Sequence, residues 1–208
     1  LNTEGMRLLD TCGTGGGKPT WNLSTAAAIV AAACGVKVAK HGNRAVTSSC
    51  GSADVLEALG VRIAMEPEQA LHVLERVGVV FLFAPNFHPA MGRVGPVRRD
   101  LGVRTVFNLL GPLANPAGVN RQVLGVFDPA IAPVMADALA QLGIEEGWVV
   151  CSEDGLDEIS PCGLTQVFRA TSSGVDTFSL DPAVMGLEPV SESALLPGAT
   201  VQDNAALL

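Results

Sequence analysis

Short apolar runs, too brief to be helices, alternate along this chain with longer segments whose apolar residues fall three and four apart. The runs MRLLD (6–10), VKVA (36–39), VRIA (61–64), VVFLF (79–83), VLGVF (123–127), WVVCS (148–152) and TQVFRA (165–170) predict strands. Ser24 to Cys34, Ser52 to Leu59, Pro67 to Val77 and Pro129 to Leu142 predict helices. Such alternation predicts an α/β fold, a mainly parallel central sheet flanked by helices. The punctuation agrees: Ser24, Ser52 and Asp181 stand where helix N-caps belong, and Gly35, Gly60 and Gly143 follow last apolar turns. From Val175 to Val201 scattered prolines and acids weaken the pattern. The stretch from His88 to Ala117 is rich in Gly, Pro and Arg and has neither period, which predicts short helices crossing toward a small helical lobe. One α/β core over 1–208 is the expected organisation, with about 88–117 contributing to that lobe.

Composition sets outer limits. A 208-residue chain that is 48% hydrophobic and 16% charged can fill a core. Its net charge of −8 repels a phosphate backbone, so nucleic acid is not an expected partner. The mean hydropathy of +0.36 raises the question of a membrane. The longest apolar run, Ala26 to Cys34, is alanine-dominated, and its continuation ends at Lys40 and His41, so a buried helix followed by a strand is expected and no membrane span. Five cysteines without a C-x-x-C pair predict reduced thiols and a cytoplasmic setting. The first residues lack the basic start and apolar stretch of a secretory signal, and the missing initial Met hints at a fragment.

Three clusters carry chemistry. In DTCGTGGGKPTWNLST, Gly13 to Gly17 bridge a predicted strand and a predicted helix. Free N–H groups and the helix dipole make such a loop suited to phosphate, with Asn22, Ser24 and Thr25 adding donors. A flexible turn with an ordinary serine cap is the competing reading. The P-loop pattern fails at Cys12 and Pro19, and G-x-G-x-x-G fails at Lys18. The second cluster, KHGNRAVTSSCGSAD, sets Lys40, His41, Asn43 and Arg44 after a strand and Ser48, Ser49, Gly51 and Ser52 before a helix. A cationic strand end beside a glycine-rich one makes a polyphosphate cradle, against the plainer reading of a solvated basic turn. The third, EDGLDEIS, offers Asp154, Asp157 and Glu158, the hard oxygen ligands that Mg²⁺ on a pyrophosphate takes. An acidic turn standing alone is usually only solvated.

Taken together, GTGG…NLST, KHGNRAV…GSADVLEALG, FAPNFHPAM, PVRRDLGVRTVFNLLGPLANPAG and DGLDEIS resemble the anthranilate phosphoribosyltransferase family, in the family's order over nearly the whole chain. The resemblance implies transfer of a phosphoribosyl group from phosphoribosyl pyrophosphate to anthranilate, with Mg²⁺ as cofactor, in tryptophan biosynthesis. It implies that Gly13, Thr14, Gly15, Gly16, Asn22, Ser24, Thr25, Lys40 and Ser52 hold phosphoribosyl pyrophosphate. Gly13, His41, Asn43, Arg98 and Pro112 match anthranilate positions, and Ser24, Asp157 and Glu158 match metal positions. A homodimer is the family's assembly, built largely by N-terminal helices that precede the part matched here. An inactive fragment, a pyrimidine nucleoside phosphorylase-like enzyme and a nucleic-acid-binding relative are the other readings. One departure stands out: Gly17 occupies the place where the family's loop carries an aspartate, and the loop is one residue shorter.

Overall fold

The computed structural model describes residues 1–45, 50–91, 100, 105–188 and 190–208. Its seven-stranded sheet has the order β3-β2-β1-β4-β5-β6-β7. The strands are β1 (Leu9–Gly13), β2 (Val38–Gly42), β3 (Val79–Phe83), β4 (Arg121–Gly125), β5 (Glu146–Ser152), β6 (Thr165–Thr171) and β7 (Gly174–Leu180). β3-β2-β1-β4-β5 are parallel, β6 adds antiparallel to β5, and β7 antiparallel to β6. The expected mainly parallel α/β sheet is what the chain forms. Because β2 and β3 are laid to one side of β1 while β4 and β5 lie on the other, the strand order reverses between β1 and β4. Crevices at such reversals, beyond the carboxyl ends of the strands, are where α/β sheets bind ligands.

The described helices are α1 (Leu23–Ala33), α2 (Ser52–Ala58), α3 (Pro67–Val77), α4 (Ala84–Phe87), α5 (Phe107–Leu113), α6 (Ala132–Gln141) and α7 (Val201–Leu207), with a 3-10 turn at Glu192–Leu195. Side chains alternate between the faces of a strand, and this sorts the layers. Leu8, Ala39, Val80 and Leu82 pack with Ala70 and Leu74 of α3, while Leu124, Val149 and Cys151 pack with Met135, Ala136 and Leu139 of α6. Phe81, one residue out of step with Val80 and Leu82, packs on the opposite face with Ala53, Val55 and Leu56 of α2, joined by Val201 and Ala205 of α7. The same alternation sends Lys40 to one face and its neighbour His41 to the other.

Some local expectations need correcting. VRIA is not a strand: only Ile63 of its apolar residues is buried, and the segment is an extended lead-in to α3. The first strand begins at Leu9 rather than Met6, and α6 begins at Ala132 rather than Pro129. Asn22, not Ser24, sits at the N-cap of α1, and Ser24 lies in its first turn. Asp181 starts no helix; its Oδ1 accepts the Ala183 N–H in a turn. Gly35, Gly60 and Gly143 do adopt the left-handed conformation expected after helices. Among the described residues no helix is long and apolar enough to cross a membrane.

Candidate active site

The glycine loop leaves β1 at Gly13, which pairs with Gly125 at the end of β4, so it begins in the crevice where strand order reverses. Gly15 and Gly16 have φ of 67° and 93°, a conformation that side chains resist. The acid loop after β5 folds back over this point. The Thr14 N–H donates to the Gly125 carbonyl at 2.9 Å, and the Lys18 N–H donates to the Gly155 carbonyl at 3.2 Å. A Cβ at Gly17 would lie 2.6 Å from Asp157 Oδ1 and 2.9 Å from its backbone nitrogen. No side chain fits there without displacing Asp157, so the close approach of the two loops requires glycine at this position.

The acid loop divides its carboxylates between two tasks. Asp154 accepts hydrogen bonds from Ser152 Oγ, from Ser160 Oγ at 2.6 Å and from the Leu156 N–H at 3.3 Å. These bonds outweigh its desolvation and hold its carboxyl below the usual range, so it shapes the loop. Asp157 is thereby placed against Gly13 and Gly17, and Glu158 beneath the start of α1, where it accepts the Ser24 N–H. Desolvation, reinforced by the neighbouring Asp157 charge and opposed by Lys40, pushes Glu158 up to about 8. Among the described residues no three His, Cys, Asp or Glu converge as a closed metal cage.

Lys40 is only 3% exposed. Its ammonium donates to the Thr11 carbonyl and, at 3.1 Å, to Ser24 Oγ, joining β2 to β1 and α1. Burial lowers its pKa, and Asp10, Cys12 and Glu158 pull it back up. Asp10, fully buried on the other face of β1, accepts the His41 N–H at 3.1 Å and Asn115 Nδ2 at 2.8 Å; the same amide donates to the Ala39 carbonyl. Here burial is the largest influence and raises the carboxyl despite these bonds. Neither Asp10 nor Asn115 is marked by a local motif, since they meet across 105 positions.

The mouth of α1 keeps polar atoms in hand. Asn22 Nδ2 donates to the Cys50 carbonyl at 3.2 Å, while Asn22 Oδ1 and Thr25 Oγ1 are buried without partners among the described residues. Ser52 opens α2 beside Gly42. Asn43 is exposed and its Oδ1 caps the Arg44 N–H; Arg44 pairs with Asp54 and Glu57 and lies over the Phe83 ring, so it braces α2.

His41 belongs to the opposite face. Its Nδ1 donates to the Gly111 carbonyl at 3.2 Å, at the end of α5, and the Pro112 carbonyl accepts Gln122 Nε2 at 2.7 Å. Side chains thus satisfy two carbonyls that a helix end leaves open. With its proton on Nδ1, His41 presents a bare, buried Nε2 lone pair. The His88 ring stands edge-on to it at 5.1 Å, its own Nε2 also buried, and neither Nε2 has a partner among the described residues. Desolvation first, then repulsion from His88, lowers His41 to about 4.

The structure therefore brings together Gly13, Thr14, Gly15, Gly16, Ser24, Lys40, Asp157 and Glu158 at one edge of the sheet, with Asn22, Thr25 and Ser52 beside them. His41 and Pro112 lie across the sheet. Arg98, Ser48 and Ser49 fall outside the described residues.

A mainly parallel sheet with a glycine loop, a buried ammonium and a carboxylate loop converging at its switch point defines a doubly wound α/β protein. The model described as the a/b domain of the glycosyl transferase family matches residues 5–208, and the chain belongs to that family. It is 50% identical to the anthranilate phosphoribosyltransferase of Syntrophomonas wolfei over 195 residues, 93% of this chain and 57% of that protein. It superposes on the crystal structure of anthranilate phosphoribosyltransferase from Thermus thermophilus with a TM-score of 0.90 and 52% identity, over 99% of this chain and 60% of that one. The Saccharomyces cerevisiae enzyme in complex with PRPP and Mg gives a TM-score of 0.89 at 39% identity, over 97% and 55%. The chain thus spans little more than half the length of these relatives.

Proposed function

We propose that this chain is the phosphoribosyl-transfer core of an anthranilate phosphoribosyltransferase acting in tryptophan biosynthesis. One observation carries the reading: the glycine loop and the acid loop close on each other over the switch point, with the Lys40 ammonium buried beneath them. That arrangement suits a ligand with several phosphates and an associated cation.

The loop amides of Gly13 to Gly16, the α1 mouth at Asn22, Ser24 and Thr25, and Lys40 and Ser52 hold phosphoribosyl pyrophosphate in this reading. Ser24, Asp157 and Glu158 hold Mg²⁺. The donor set fits: these are hard oxygens, two of them adjacent carboxylates whose repulsion a divalent cation relieves, and ligand phosphates and water are left to complete the shell. When bound, the ion neutralises charge on the departing pyrophosphate. Gly13, His41, Asn43, Arg98 and Pro112 receive anthranilate. Its amine is already a nucleophile, so the chain's work is to align it with C1 and to hold the leaving group in a prepared, partly dry site. A reducing, cytoplasmic setting agrees with five free cysteines.

Calorimetric titration with phosphoribosyl pyrophosphate, with and without Mg²⁺, tests the reading. Binding that requires the ion is expected; no binding under either condition would remove the assignment. The double substitution Asp157→Ala, Glu158→Ala should weaken Mg²⁺-dependent binding by about 30-fold or more, the scale of losing two charge-assisted ligands. Its thermal midpoint should not fall, because a desolvated, mutually repelling pair is removed. In a full-length enzyme carrying this core, Arg98→Ala should lower kcat/KM for anthranilate by about 10- to 100-fold, the worth of a hydrogen-bonded charge pair. Affinity for phosphoribosyl pyrophosphate should stay unchanged, and an unaltered anthranilate kcat/KM would transfer the carboxylate contact elsewhere.

A further inference from the structure

Lys18 is the first side chain after the glycines, and neither the phosphate site nor the metal site uses it. Its ammonium lies 3.1 Å from both carboxylate oxygens of Glu192, 174 residues away. Glu192 opens the 3-10 turn Glu192–Leu195, and the Leu195 carbonyl at the far end of that turn accepts the Trp21 N–H at 3.1 Å. One short element thus grips the glycine loop at two points, Lys18 and Trp21. Lys18 also ties to the acid loop, through its N–H on the Gly155 carbonyl at 3.2 Å.

These ties bridge a cleft of about 100 Å³ whose lining includes Lys18, Asp154, Leu156, Glu192 and Leu195. Gly17 packs directly against Asp157, but on the side of this cleft the three segments are held by discrete bonds.

We propose that Lys18 and Glu192 are positioning residues: their ion pair holds the glycine loop closed on the acid loop, and affinity for a pyrophosphate ester depends on it although neither side chain touches the ligand. The proposal rests on the phosphoribosyl pyrophosphate reading above. An exposed ion pair adds little to global stability. What this one opposes, however, is a local loop opening, which belongs to the low end of a protein's free-energy scale. Where the closed fraction is set by so small a balance, apparent affinity falls in proportion to that fraction.

The test is charge exchange in a Trp148→Phe background, which leaves Trp21 as the sole tryptophan. Without ligand, Lys18→Gln and Glu192→Gln should each make Trp21 more accessible to acrylamide quenching, and added salt should do the same to the parent only. Mg²⁺-dependent binding of phosphoribosyl pyrophosphate should weaken by about two- to fivefold in each single variant. The exchanged pair Lys18→Glu, Glu192→Lys should restore both readouts. If Lys18 instead touched a phosphate, Lys18→Glu would stay defective with Glu192→Lys present, and the proposal would be overturned. Single variants that quench and bind like the parent would overturn it as well. A parent that binds no phosphoribosyl pyrophosphate defeats the functional reading, while the quenching arm still decides whether the pair closes the loop.

Discussion

Gly125→Ala should cripple the site from a position that carries no chemistry. A Cβ there would sit 2.6 Å from the carbonyl carbon of Asp157 and nearer still to its oxygen. The obstacle is backbone, so no rotamer change relieves it, and either the end of β4 or the acid loop has to move. Overpacking of this kind costs about 1–3 kcal/mol, which for a chain of this size lowers Tm by roughly 3–10 °C. In the proposed function activity should suffer more, because Asp157 and Glu158, assigned there to the metal, ride on the displaced segment and a shift of about 1 Å at a reacting site costs on the order of 100-fold in rate. Gly163→Ala is the control, since a Cβ at that position meets nothing within 4 Å. Differential scanning calorimetry and turnover in a full-length enzyme carrying each substitution provide the two readings. A Gly125→Ala protein with the parent's Tm and rate would show that the acid loop does not dock on β4 as described.

How far the sequence reached follows from where information is local. The glycine loop, Lys40 and the acid loop were legible because each is a contiguous cluster at a strand end, and an α/β chain gathers strand ends at one edge. The partners that make them a site were not. Asp10 reaches Asn115, His41 reaches Gly111, Gln122 reaches Pro112, and Lys18 reaches Glu192 only through the tertiary fold. The acid loop could be recognised as acidic, but which carboxylate shapes it depends on Ser152 and Ser160 turning toward Asp154. His88 lies in the FAPNFHPAM stretch, but nothing local showed that α4 brings it beside His41.

The errors in secondary structure have physical causes too. VRIA has strand-like residues but pairs with no strand, and pairing decides what a short apolar run becomes. The reverse holds for β7. GVDTFSL is largely exposed and polar, as edge strands commonly are, and its order comes from seven residues in register with β6. Asn22 displaces Ser24 from the N-cap because α1 starts at Leu23, two residues earlier than a helix capped by Ser24 would. That offset has a consequence: Ser24, lodged inside the first turn, turns its N–H to Glu158 and its hydroxyl to Lys40.

Acid should destabilise the fold through His41. Its side chain is 6% exposed, and its Nδ1 proton is committed to Gly111. The end of a helix favours a cation, but desolvation and the facing charges of His88 and Lys40 outweigh that and lower the imidazole from 6.5 to about 4. Between those values the unfolded chain binds a proton that the folded chain refuses, so stability falls as pH falls through the window. At roughly 1.4 kcal/mol per pH unit the loss amounts to about 3 kcal/mol. Glu158 acts in the opposite sense, since the folded carboxyl keeps its proton from 4.5 up to about 8 and its contribution falls as pH rises. The measurement is therefore a difference: urea unfolding of the parent and of His41→Gln from pH 7 down to pH 4, in which Glu158 and the other groups cancel. Glutamine can still donate to the Gly111 carbonyl but cannot titrate. The parent should lose about 3 kcal/mol more than the variant over this range, with most of the divergence below pH 6. Parallel curves would mean that His41 takes its proton in the folded state, and its buried Nε2 would then be a donor instead of a lone pair.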